Sequence, residues 1–210
     1  MRALFVIILL MSSAASTVNK NVYFPRHAFG DNGDQFAANY YGTWLSFFKE
    51  SSLLKETSEG ATKETYRFLW LRTFHHAIVI RMDVAKDGTG NLVTKVASGE
   101  AGFGTRNQKI LEDTSRQLSG METQSLLRNL NGAGFWSIQG GEAAEITGND
   151  GSEWVIEGEK DGHYHVVARW SPCSAYRQLL SLYHRRQICW IGRAWASDLA
   201  RLNIPNNEVY

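Results

Sequence analysis

The segment 150–172, DGSEWVIEGEKDGHYHVVARWSP, constrains the fold most strongly because it has the pattern of one β-hairpin. Successive side chains of a strand point to opposite faces of the sheet, so the length of the loop determines which residues share a face. A two-residue turn, Asp161-Gly162, would place Glu157 and Glu159 among aromatic side chains. Burial of these carboxylates is costly unless they are paired.

We therefore predict a three-residue loop, Lys160-Asp161-Gly162, with the glycine in the left-handed conformation. This register separates an apolar face from a charged face. The pairs on the charged face are Glu159 with His163, Glu157 with His165, and Glu153 with Arg169. These six residues are the candidate binding face.

Three interpretations of this charged face stay open. The simplest is a solvated ladder of opposite charges, which contributes from tenths of a kcal/mol to about 1 kcal/mol per pair. The second is a binding surface. The third is a zinc site with an open position, built from His163, His165 and Glu157, in which a Glu–His pair also acts as general acid and base. No nucleophile motif is recognisable, so the catalytic residues of an enzyme stay unknown.

The N-terminal residues 1–16, MRALFVIILLMSSAAS, have the layout of a secretory signal peptide: one early arginine, an apolar run, then small residues. The apolar run at 3–11 is too short to span a bilayer as a helix. We expect residues 17–210 to form a single domain without a membrane span. Its expected location is the periplasm or the extracellular medium.

Charge and composition limit the classes of molecule that the protein is expected to bind. The chain has 22 basic and 21 acidic residues, and loss of Arg2 with the signal peptide leaves 21 of each. This balance gives no electrostatic basis for binding nucleic acid or anionic membrane. Seven Trp, eight Tyr and ten Phe supply a core and also permit an aromatic groove for a protein partner or a glycan. The oligomeric state is not indicated.

Two cysteines, Cys173 and Cys189, suggest a disulfide in an oxidising compartment. One straight helix over 173–189 would separate the two Cα atoms by about 24 Å, whereas a disulfide requires about 7 Å or less. We therefore expect the chain to turn back near residues 184–187. The alternative is that both thiols are free.

Other periodicities predict the remaining elements. Helical spacing predicts a helix over 35–50 that buries Phe36, and a capping box at Ser119 begins a second helix with Met121 facing the core. Strands are expected at 66–72, 76–84, 91–97, 107–118 and 135–138, and further helices at 176–183 and 189–202. The fold class is α+β, a mostly antiparallel sheet built of hairpins with helices packed on one face.

Three segments together, YRFLWLRTFHH (66–76), FW (135–136) and DGSEWVIEG…GHYHVVARWSP (150–172), resemble a family of uncharacterised bacterial exported proteins. The resemblance implies export and a bacterial source. We expect an exported small binding or interaction module, of the kind represented by inhibitor and immunity proteins, with no cofactor. The alternative is a metal-assisted hydrolase that uses zinc at the His163, His165 and Glu157 face.

Overall fold

A sheet of six strands forms the centre of the molecule. The computed structural model describes residues 22–31, 34–56, 64–141, 150–171, 188–189 and 191–195. The strands are β1 (Glu64–Arg72), β2 (His76–Val84), β3 (Gly90–Glu100), β4 (Ile110–Leu118), β5 (Ser152–Lys160) and β6 (His163–Trp170). The helices are α1 (Asp34–Phe47), α2 (Leu53–Glu56) and α3 (Gly120–Gly132), and residues 188–189 and 191–195 are also helical.

The strands lie in the order β4-β3-β2-β1-β5-β6, and every neighbouring pair is antiparallel. Consecutive hairpins build the sheet, and the pairing of β1 with β5 joins its two halves. All nine residues of β1 are buried, because the strand is central and both of its faces are covered. The predicted α+β domain with an antiparallel sheet is confirmed.

Helices cover both faces of the sheet, whereas the sequence predicted helices on one face. Alternation along the strands supplies an apolar set to each face. On the first face, which we call the α1 face, Trp44 and Leu45 of helix α1 and Phe48 just after it pack on the sheet against Leu69, Val79 and Val155. On the opposite α3 face, Leu127, Leu130, Ile191 and Trp195 pack against Phe68, Trp70, Ile80 and Trp154.

Side-chain caps hold the helix starts in place. Ser119 and Glu122 form the predicted capping box at α3, with the Ser119 side chain accepting from the Glu122 N–H and the Glu122 side chain accepting from the Ser119 N–H. At α1, Asp34 accepts hydrogen bonds from the backbone N–H groups of His27 and Phe29, both at 2.9 Å. These bonds tie the segment before α1 to the helix.

The predicted three-residue loop of the β5–β6 hairpin is wrong. The turn has two residues, Asp161 and Gly162, with φ of 52° and 77°. Positive φ at both positions is the signature of a type I′ turn, whose twist matches that of the strands. The pairs are therefore Lys160 with His163, Glu159 with Tyr164, Gly158 with His165, Glu157 with Val166, Trp154 with Arg169 and Glu153 with Trp170.

A neighbouring strand supplies the physical reason for this register. Arg67 of β1 lies directly opposite Glu157 of β5. Its guanidinium pairs the carboxylate that the two-residue turn buries, so the desolvation cost that argued against this turn is offset. The hairpin alone contains no such partner, and its own pattern therefore favoured the other register.

Three local predictions also differ from the structure. Residues Phe135–Ser137 form a 3₁₀ turn in place of a strand, because Gly134 before it is left-handed with φ of 66°. Phe36 and Met121, both predicted to be buried, are 77% and 83% exposed. The predicted helix over 176–183 lies outside the described residues.

Candidate functional site

The hairpin register divides the six predicted site residues between the two faces of the sheet. The carboxylates Glu153, Glu157 and Glu159 lie on the α1 face, and the basic side chains His163, His165 and Arg169 lie on the α3 face. The predicted ladder of opposite charges is therefore not formed. The alternative zinc site is not assembled either, and no group of three or more His, Cys, Asp or Glu among the described residues is arranged to hold a metal ion.

Glu157 lies in a buried ion pair. The Nε and Nη2 atoms of Arg67 donate to its two oxygens at 2.8 and 2.9 Å, and the Tyr164 hydroxyl donates to Oε1 at 2.8 Å. Burial raises the pKa of Glu157 above its ordinary value, although Arg67 and Tyr164 oppose the shift by stabilising the carboxylate. With three donors satisfied and no exposed surface, this carboxylate is a structural group.

The ion pair is part of a larger network that fixes the segment after α1 to the sheet. Arg67 also donates to the Ser51 carbonyl at 2.7 Å and lies 3.5 Å from a Glu50 oxygen. Lys95 donates to Glu50 at 2.7 Å and to the Phe48 carbonyl at 2.9 Å. Such a network stabilises one docking geometry for the connection between α1 and α2.

The other two carboxylates of β5 also have partners within the protein. Glu153, half-buried, accepts from the Tyr41 hydroxyl at 3.0 Å. Glu159 accepts from the Gly162 N–H at 3.1 Å and so closes the hairpin turn. Glu153 therefore helps to hold α1 in position, and Glu159 helps to hold the turn.

Arg169 anchors the segment that precedes β5. Its guanidinium donates to the carbonyls of Gln139, Gly140 and Ala168 at 2.6, 2.9 and 2.7 Å. The side chain is 5% exposed. An arginine buried against backbone carbonyls holds structure, and the predicted role in binding gains no support.

The two histidines do share a cleft, at the turn end of the hairpin. This hairpin cleft has a volume of about 510 Å³ and is lined by Asn131, Trp136, Lys160, Asp161, His163, Tyr164 and His165. His163 is exposed, and His165 is half-buried. The His165 ring packs edge-on against Phe135 at 5.0 Å between centroids and lies 6.1 Å from Trp136.

His165 is the perturbed titratable group of this cleft. Desolvation by burial lowers its pKa, and hydrogen bonds to the backbone of Ile138 and Phe135 oppose the shift. Its Nε2 atom is buried without a hydrogen-bond partner among the described residues. Because this nitrogen has no exposed surface, a ligand in the cleft would contact other atoms of the ring.

A second surface at the opposite end of the sheet was not predicted from the sequence. We call it the aromatic end, and it consists of Phe36, Tyr40, Phe74 and Phe103. The rings of Phe36 and Tyr40 stack at 6.4 Å and 5°, and the Tyr40 hydroxyl donates to the Ala101 carbonyl at 3.3 Å. The 3₁₀ turn Ala101–Phe103 is held against the β1–β2 turn by its backbone N–H groups, which donate to the carbonyls of Thr73 and His75 at 3.0 Å.

The aromatic end borders a polar cleft of about 430 Å³, the turn cleft. Its lining includes Phe74, His75, His76, Glu100, Phe103 and Arg106. His75 and His76 are adjacent in the chain and would be expected to point apart, yet both border this cleft. The combination of exposed rings and both signs of charge is typical of a protein-binding surface.

Signals for these residues were present in the sequence. Arg67 interrupts an otherwise apolar run, YRFLWL at 66–71, which indicates a buried ion pair. Phe74 lies in a tight turn and Phe103 in the glycine-rich run SGEAGFG, where no strand partner can bury an aromatic ring. An aromatic residue in such a connection is a signal of exposure.

Other sequence predictions concern residues that the structure does not describe. The signal peptide at 1–16 and Cys173 lie outside the described residues, so export and the disulfide stay predictions. Cys189 is 7% exposed and belongs to the core of the α3 face. Among the described residues, no helix has the length and apolar character required to cross a membrane.

Comparison with known proteins does not identify a family for this chain. No family model, no curated protein and no solved structure matches the chain. The functional interpretation therefore depends on the geometry of the two clefts and the aromatic end.

Proposed function

We propose that this protein is an exported binding module that recognises a partner protein through the aromatic end. One observation carries the proposal. The exposed phenylalanines of the described residues, Phe36, Phe74 and Phe103, all belong to this surface, with exposures of 77%, 56% and 76%. Elsewhere the described phenylalanines are buried or half-buried. Exposed aromatic side chains that are grouped on one surface are typical of an interaction site.

The setting of the rings supports recognition of a protein. Phe74 and Phe103 lie on two short connections that backbone hydrogen bonds hold together, and Phe36 lies on helix α1, so little backbone freedom is lost when a partner covers these residues. Glu100 and Arg106 lie beside Phe103 in the turn cleft and provide a charged rim of both signs. Buried aromatic anchors with a polar rim are the usual anatomy of an interface.

The hydrolase alternative loses its structural support. It requires Glu157 beside His163 and His165, and the carboxylate lies on the opposite face in a buried pair with Arg67. Inhibitor-like or immunity-like binding is consistent with the predicted signal peptide and with the exposed rings.

Site-specific photo-crosslinking in the cells that produce the protein tests this proposal. Benzoylphenylalanine is introduced at Phe74 or Phe103, and at Met121 as a control that is equally exposed but lies at α3. We expect one discrete protein adduct from positions 74 and 103 and none from 121. The Phe103→Ser variant should weaken binding of the purified partner about tenfold or more. Equal adducts at all three positions, or none at 74 and 103, would contradict the proposal.

A further inference from the structure

We propose that strand β4 pairs antiparallel with β4 of a second copy of this chain, with Thr114 on the two-fold axis, so that two sheets join into one. Among the described strands, β4 has only β3 beside it and forms one edge of the sheet. The other edge is covered in part, because the Ala168 N–H of β6 donates to the Gly140 carbonyl at 2.8 Å. An edge strand with unpaired backbone groups is a template for another strand.

The pairing of β3 shows which backbone groups of β4 point away from the sheet. In an antiparallel pair, hydrogen-bonded and non-hydrogen-bonded residues alternate along each strand. The Ala85 N–H, just after β2, donates to the Thr89 carbonyl at 2.9 Å, so the backbone of Thr89 and of every second residue after it points to β2. The even-numbered residues of β3 at 90–96 therefore bond to the even-numbered residues of β4 at 112–118. The outward-pointing backbone groups, to which no described residue bonds, are those of Asp113, Ser115 and Gln117.

The charges of β4 select one register for pairing with a second copy. With Thr114 on the axis, Glu112 of each copy lies directly opposite Arg116 of the other, and Asp113 lies opposite Ser115. Opposite charges that face each other across two strands stabilise the pair, and like charges destabilise it. An axis at 112, 113 or 116 would place two like charges opposite each other, and an axis at 115 would pair no charges. The axis at Thr114 also brings the outward-pointing residues of the two copies together.

The side chains along β4 are suited to this arrangement. The Arg116 Nη1 atom donates to Glu122 at 2.7 Å, which orients the guanidinium and leaves 34% of the side chain exposed. Glu112 is exposed, and no described residue forms an ion pair with it, so the second copy would supply its partner. Leu111 is 50% exposed and would be covered by the second copy.

The backbone of β4 is not protected against pairing. Sheet edges are commonly blocked by proline or by a bulge. The strand contains no proline, and its register shift lies between residues 110 and 112. The stretch 112–118 is therefore regular, and it contains both members of the proposed charge pair.

Sedimentation equilibrium on the protein purified from the cells that produce it tests the association. We expect a monomer–dimer equilibrium between about 1 and 500 µM protein. Ser115→Pro removes an outward-pointing N–H that the fold does not use, so this variant should stay folded and become monomeric. Ser115→Ala is the matched control, because it also loses the hydroxyl bond to Asn91 but keeps the N–H, and it should dimerise like the wild type. A wild type that is monomeric at about 500 µM, or a Ser115→Pro variant that dimerises equally well, would overturn the proposal.

A cysteine on the axis tests the register and does not depend on the proline variant. Opposed residues at a non-hydrogen-bonded position have Cα atoms about 4.5 Å apart, within reach of a disulfide. Thr114→Cys should therefore form a covalent dimer on oxidation. Gln117→Cys should not, because the two copies of residue 117 lie six residues out of register, about 20 Å apart. The wild type gives the background from the natural cysteines. No covalent dimer of Thr114→Cys, equal cross-linking at both positions, or a cross-link to a different protein would overturn the proposal.

Discussion

The Arg67 guanidinium donates hydrogen bonds to both carboxylate oxygens of Glu157 across the β1–β5 pair, at 2.8 and 2.9 Å, and neither side chain has exposed surface. The pair explains why the hairpin can bury a glutamate on its α1 face and leave both histidines on the other face. It also divides the predicted charged site into a structural network and a cleft.

Removing either Arg67 or Glu157 should destabilise the fold. The loss of stability should depend on pH differently in the two variants. Arg67→Met leaves Glu157 buried without its cation, and unfolding at neutral pH should become easier by about 3 to 5 kcal/mol. Loss of Arg67 raises the pKa of Glu157 further, so the variant should recover part of its stability in acid, where the protonated carboxyl carries no charge. Urea denaturation at several pH values measures this.

Glu157→Leu is the matched control for this prediction. It leaves the Arg67 guanidinium buried, and that group does not lose its proton in the accessible range. Its loss of stability should therefore show no comparable recovery in acid. Equal acid recovery in Glu157→Leu and Arg67→Met would be inconsistent with the ion pair.

The capping box of α3 should make a separate contribution to the pH dependence of stability. Hydrogen bonds from Ser119 and the nearby Arg116 lower the pKa of Glu122 from its ordinary value of 4.5 to about 2. Because the pKa of Glu122 is lower in the folded state than in the unfolded state, its contribution to stability is complete above pH 4.5 and is lost as the pH falls towards 2. The Glu122→Gln variant should have a flatter stability profile in that interval. An identical profile in the wild type and the variant would exclude the contribution.

Gly192 should tolerate no side chain. A methyl group added at this position would overlap the indole ring of Trp154, which is fully buried in the core of the α3 face. Gly192→Ala should therefore destabilise the protein by about 1 to 3 kcal/mol through overpacking. Gly120 in the first turn of α3 is the control, since the added methyl there meets only ordinary contacts. A lower melting temperature for Gly120→Ala than for Gly192→Ala would contradict the close contact between Gly192 and Trp154.

Much of the fold could be predicted because its signals are local. The strands β1 and β2 follow from β-branched and aromatic runs, and α3 follows from the capping box at Ser119. The register of β5 and β6 could not be predicted from the hairpin, because it depends on Arg67, which lies 90 residues from Glu157 in the chain.

The candidate site was predictable in part for the same reason. The histidines at 163 and 165 share a face under any register, since they are two residues apart. Their neighbour Trp136 lies in a turn after α3, and only the tertiary packing brings it to the cleft. The aromatic end likewise combines α1 with two separate connections of the sheet.

The separation of Glu157 from His165 is tested most directly by backbone NMR of the β5–β6 hairpin. In an antiparallel pair the two Hα atoms approach closely at the non-hydrogen-bonded positions, which alternate with the hydrogen-bonded ones. With the two-residue turn closed by Lys160 and His163, we predict strong Hα–Hα contacts between Glu159 and Tyr164 and between Glu157 and Val166. Strong Hα–Hα contacts that instead join Gly158 with Tyr164 and Ile156 with Val166, as the three-residue loop requires, would contradict the register, and would return the carboxylates and the histidines to a single face.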